Sequence, residues 1–118
     1  MADRQNVIVR RVQARDAERV ASFVNRALRG RVEIDPQAVT RRSGGVGFFL
    51  AEMGNKPVGL IGWRVENLVA RVADLLVWPS STRAEVVPPL FEEMESAAMD
   101  LQAEAALLFP PSSGRDEL

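Results

Sequence analysis

Residues 46–78 constrain the fold more than any other stretch. VGFFLAEM (46–53), PVGLIGWRVE (57–66) and LVARVADLLVW (68–78) are three apolar runs rich in β-branched and aromatic residues. Only Gly54-Asn55-Lys56 and Glu66-Asn67 part them. Connections this short join antiparallel neighbours, because a parallel crossover needs about a dozen residues or more. The segment therefore predicts a three-stranded meander. Its last run alternates at first and then turns continuously apolar, which predicts burial on both faces at that end.

Helical signals flank the meander. VIVRRV (7–12) reads as a short strand. Asp16 reads as an N-cap, followed by Ala17, Val20, Ala21, Val24, Ala27 and Leu28 at i, i+3, i+4 spacing, with Gly30 as the stop. Asp35-Pro36 opens a shorter helix that ends before Gly44-Gly45, since proline suits the first helical position. After the meander, Val87, Leu90, Phe91, Met94, Ala98 and Leu101 mark one face of a long helix. AALLF (105–109) reads as a final strand. The expected architecture is α+β: a mixed, mostly antiparallel sheet of about five strands with helices on both faces. The expected domain is 1–109, with 110–118 as a tail. Phe49, Leu60, Leu76, Val77, Val24 and Phe91 are the expected core.

Composition narrows the chemistry. The 118 residues include no Cys, His or Tyr. Disulfides, thiolate chemistry, zinc sites of the usual ligand types and His-dependent nucleophilic triads are excluded, and no metal is expected. A general acid or base must be Asp, Glu, Lys56, a terminus or water. No run of about 18 apolar residues exists, so no membrane span is expected. MADRQNVIVRRV has no apolar h-region, and a soluble, cytoplasmic setting is expected, with the terminal RDEL as a coincidence. Fourteen Arg against one Lys suggest a GC-rich bacterial source. Residues 1–42 carry ten Arg and five acids, whereas residues 85–118 carry eight acids and one Arg. Short basic runs without interleaved aromatics favour two solvated surfaces of opposite sign over a nucleic-acid face.

The element order is strand, helix, helix, three strands, helix, strand. It resembles the N-terminal two-thirds of the GNAT fold, that of the acetyl-CoA-dependent N-acetyltransferases. VIVRRVQARDAERVASFVN resembles the opening strand and helix of that family. FFLAEMGNKPVGLIGWRV resembles its second and third strands, and ADLLVWPSSTRAEVVPPLFEEMESAAMDLQAEAALLF its fourth strand, cofactor loop, third helix and fifth strand. The resemblance implies an acetyl-CoA site at the end of the fourth strand. Val77-Trp78-Pro79 matches the family's V-x-P, and Arg83 matches the basic residue that opens its R/Q-x-x-G-x-G/A loop. Val77, Ser80, Ser81, Thr82 and Arg83 are thus the implied cofactor-binding residues, Asp74 the implied general base and Glu66 a second candidate.

The sequence departs from that pattern. After Arg83 it reads Ala84-Glu85-Val86-Val87-Pro88-Pro89, without the family's glycines. Prolines at a helix entrance would remove two N–H groups, and Glu85 would set a negative charge beside a diphosphate. The family's later helix and two strands, and its Tyr general acid, have no counterpart. Weak acetyl-CoA binding and a role as a binding, regulatory or association module are therefore expected. The alternatives are an N-acetyltransferase completed by a second chain or a further C-terminal segment and, more distantly, a nucleic-acid adaptor. An AALLF strand open on one side implies a homodimer through Leu107, Phe109 and neighbouring apolar residues.

Overall fold

The computed structural model describes residues 6–31, 33–66 and 69–108, with side chains described as far as Leu101. Its elements are β1 (Val7–Arg11), a 3-10 turn (Ala14–Asp16), α1 (Ala17–Ala27), α2 (Pro36–Arg42), β2 (Gly47–Met53), β3 (Lys56–Glu66), β4 (Val69–Val77), a second 3-10 turn (Ser80–Thr82) and α3 (Arg83–Leu108). The four strands form one sheet in the order β1-β2-β3-β4, and each neighbouring pair is antiparallel.

The sheet is covered on both faces. Phe48, Leu50 and Leu60 point to one side, where they pack with Val20 and Phe23 of α1 and Val39 of α2. Phe49, Ala51, Ile61 and Trp63 point to the other and pack with Val86, Leu90 and Met94 of α3. Period-2 alternation with both faces apolar accounts for the unbroken hydrophobic run in β2. The β2–β3 connection is tighter than the sequence suggested. Met53 pairs with Lys56, and Gly54 (φ 57°) and Asn55 (φ 67°) form the two-residue turn between them. Two left-handed residues are what such a turn requires, and glycine and asparagine tolerate them best.

An ion network fastens β1 to α1 and β2. Arg10 Nη1 donates to Asp16 Oδ2 at 3.0 Å, and Arg10 Nε donates to Glu52 Oε1 at 3.2 Å. Arg19 Nε reaches Glu52 Oε2 at 2.9 Å, and its Nη2 donates to the Asn55 carbonyl. The Asp16 carboxylate does not cap α1 through a side-chain bond, as its position suggested. It turns back to accept from the Gln13 N–H at 2.8 Å. The Arg10 guanidinium offers a stronger partner than a helix N–H, and the carboxylate follows it.

Three expectations are corrected. Residues 105–108 of the predicted strand are the last turn of α3, and Phe109 lies outside the described residues. Ala-rich AEAALL has high helix propensity and no Gly or Pro to stop the preceding helix. The sheet therefore has four strands among the described residues, none of them parallel. Next, the apolar end of β4 is only partly buried, because β4 lies at the sheet edge. Finally, Phe49 and Leu60 are buried as expected, but Val24, Leu76, Val77 and Phe91 are partly buried. On α3 Leu90 is fully buried as expected, but Val86 is fully buried where Val87 was expected, and Leu101 is 45% exposed.

Candidate functional site

The chain leaves β4 at Val77, passes Trp78 and Pro79, makes the 3-10 turn Ser80–Thr82 and enters α3 at Arg83. The Trp78 N–H donates to Val58 O at 3.0 Å, and the Thr82 hydroxyl donates to Pro79 O at 2.7 Å. The turn is therefore held by its own bonds, and Thr82 is already engaged. Ser80, Ser81 and Arg83 are exposed. Val77 packs inward, on the α3 side of the sheet.

The helix start differs from the sequence reading in one respect that matters for anion binding. Pro88 and Pro89 lie inside α3, at its sixth and seventh positions, instead of opening it. The first-turn N–H groups of Ala84, Glu85 and Val86 are thus present, so the expected loss of donors at the helix entrance does not occur. The prolines act elsewhere. Without N–H groups they cannot pair with the carbonyls of Ala84 and Glu85, which weakens the hydrogen-bond ladder just behind the first turn. Glu85 remains exposed in that turn.

Asp74 lies on the opposite face of the sheet. The β3–β4 register slips after Gly62↔Asp74, with Trp63 opposite Val72, so Ala73 is an extra residue and β4 bulges there. A Cβ on Gly62 would come within 2.9 Å of Asp74 Oδ2, so glycine makes room for the carboxylate. Arg42, at the end of α2, donates to both oxygens: Nε to Oδ2 at 2.7 Å and Nη2 to Oδ1 at 3.0 Å. A general base so engaged would have to exchange Arg42 for an amine before taking a proton. Glu66 is not part of this site. It pairs with Arg64 at 2.9 Å and Arg71 at 3.1 Å, at the other end of β4 and roughly 26 Å along the strand from Val77.

Beside Asp74 a cavity of about 440 Å³ opens between α1, α2, β3 and β4. The sequence reading missed it, and it missed Arg42 as the partner of Asp74. Thirty-two positions separate those two residues, and nothing local in the sequence connects them. Arg26 over the Trp78 ring, 5.5 Å from its centroid, is a second such contact.

No protein-family model matches the sequence, and neither does any curated protein. Solved structures do match the fold. The PaiA N-acetyltransferase from Thermoplasma acidophilum, in complex with coenzyme A, superposes with a TM-score of 0.63 at 14% identity over 82% of this chain and 74% of that one. The aminoglycoside N-acetyltransferase AAC(6')-Iy, in complex with CoA, gives 0.65 at 11% identity over 100% and 96%. The chain has the GNAT fold. A further GNAT neighbour, a ribosomal-protein-alanine N-acetyltransferase from Brucella melitensis, gives 0.55 at 11% identity over 96% of each chain. The GNAT resemblance singles out the Val77–Arg83 loop, Asp74 and Glu66, and the structure sets these in three separate places. Among the described residues no helix is long and apolar enough to cross a membrane.

Proposed function

We propose that this GNAT-fold chain works as a binding and association module, with acetyl-CoA chemistry reduced to a trace. Glu85 carries the reading. It sits exposed in the first turn of α3, where a helix terminus would otherwise attract a diphosphate. Two of the neighbours are CoA complexes, which makes CoA the right probe. In calorimetry, CoA is expected to bind more weakly than about 1 mM, and Glu85→Gln to tighten it. Low-micromolar CoA affinity in the parent chain, lost in Arg83→Ala, would overturn the reading.

A second reading, acetyl transfer to an amine, is favoured by one observation: the prolines lie behind the first turn and leave its donors in place. In that case Asp74 is the base, and a second chain or further segment completes the site. We also propose a homodimer. Its basis moves from the AALLF segment, which is helical at 105–108, to β4, which pairs with β3 alone and leaves its other edge open among the described residues.

A further inference from the structure

The cavity between α1, α2 and the β3–β4 face has the dimensions and lining of a small-molecule site. Its volume of about 440 Å³ falls within the range of about 300–1,000 Å³ for such sites. The walls are apolar, with Val24, Leu28, Ile34, Phe48, Leu60 and Leu76 among them. Among the described residues Arg42 and Asp74 are the two charged side chains in the lining, and they hold each other.

We propose that this cavity binds a small organic acid, a carboxylate on an apolar body, and that Arg42 recognises the carboxylate. The proposal rests on the reading of the chain as a binding module and names its ligand. The Arg42 fork already grips one carboxylate by two nitrogens, and a ligand carboxylate reproduces the same two bonds. Asp74 is the internal occupant of that fork. Its side chain is 36% exposed, so on exchange it is solvated at small cost. The apolar body then displaces water from Leu28, Ile34 and Leu60.

Charge decides between an acid and an amine. Residues 26–42 carry Arg26, Arg29, Arg31, Arg41 and Arg42 against Glu33 and Asp35. An incoming anion meets that excess favourably. An incoming ammonium approaches against the same excess before it can reach Asp74.

Calorimetry on the full chain with octanoate, octylamine and octanol tests the proposal. Octanoate is expected to bind about tenfold tighter than either analogue, the worth of a charge-assisted hydrogen bond. Asp74→Asn removes the competing charge with little change in volume, and octanoate affinity should rise. Arg42→Gln should erase the preference, and Ala38→Phe should block binding by filling the cavity. Equal affinity for all three compounds, tightest binding of octylamine, weaker octanoate binding in Asp74→Asn, or no octanoate binding at about 1 mM would each overturn it. Should Arg42→Gln fail to fold by circular dichroism, the Asp74→Asn result decides. CoA affinity, titrated separately with the α3 variants, judges the module reading independently.

Discussion

Gly59 lies directly beneath Val86. A Cβ on Gly59 would collide with Val86 Cγ1 and stand 3.1 Å from Leu90 Cδ1. Both side chains are fully buried, so neither can swing away into solvent. This contact seats the first turn of α3 on β3. Gly59→Ala is therefore expected to cost about 1–3 kcal/mol, as overpacking does, measured by urea unfolding. Gly59→Ala with Val86→Ala should cost less than the two single changes together, because the added methyl enters the vacated space. Strict additivity would show that the contact is not the cause.

The Arg10 network predicts an acid-sensitive fold. Arg10 holds the buried Asp16 carboxyl below its ordinary value of 3.8 against the opposing effect of burial. Burial acts to raise Glu52, but Arg10 and Arg19 outweigh it and leave that carboxyl below 4.5. Both folded values are depressed, so the unfolded chain binds more protons in acid. The contribution is complete above the unfolded values and is lost as pH falls through the folded ones. Urea midpoints should therefore stay level from neutral pH down to about 5 and then fall. Glu52→Gln should flatten that fall. Arg10→Met leaves Asp16 without its guanidinium and is expected to cost about 1–3 kcal/mol at neutral pH.

Asn25 ties Ile34, a lining residue of the cavity, to α1. Its Nδ2 donates to Ile34 O at 2.9 Å, and its Oδ1 accepts from the Ile34 N–H at 2.8 Å. A side-chain amide thus mimics a backbone pair across the α1–α2 loop, between the lining residues Leu28 and Ile34. Asn25→Ala should speed hydrogen exchange at the Ile34 amide and destabilise the chain by about 1–3 kcal/mol. Unchanged protection at Ile34 would mean that the loop is held by other contacts.

The edge of β4, open among the described residues, predicts self-association. Val69 and Val72 on this strand are 54% and 42% exposed, and β4 contains no proline to discourage pairing. Light scattering at micromolar concentration is expected to give twice the 13.0 kDa chain mass. Val69→Lys with Val72→Lys should return the monomer. A monomeric mass at every concentration, unchanged by salt, would defeat the dimer.

Local pattern carried most of the architecture. The β2–β3–β4 meander, α1, α2 and the body of the long helix are all visible in short-range periodicity, turn chemistry and proline or glycine punctuation. Those signals act within a few residues, so a single sequence exposes them. AALLF failed because a short apolar run suits strand or helix equally, and the preceding helix decided in favour of its own continuation. Pro88 and Pro89 misled for a related reason. Proline is commonest at a helix start, yet here the packing of Val86 and Leu90 on β3 carries the helix through them. The site was legible only in part. The GNAT resemblance singles out Asp74 and Arg83, but the paired bonds between Asp74 and Arg42, and the cavity beside them, come from tertiary structure alone. Two helices and a strand far apart in sequence must first pack on one sheet before those groups meet, and residue-by-residue preference holds no record of that distance.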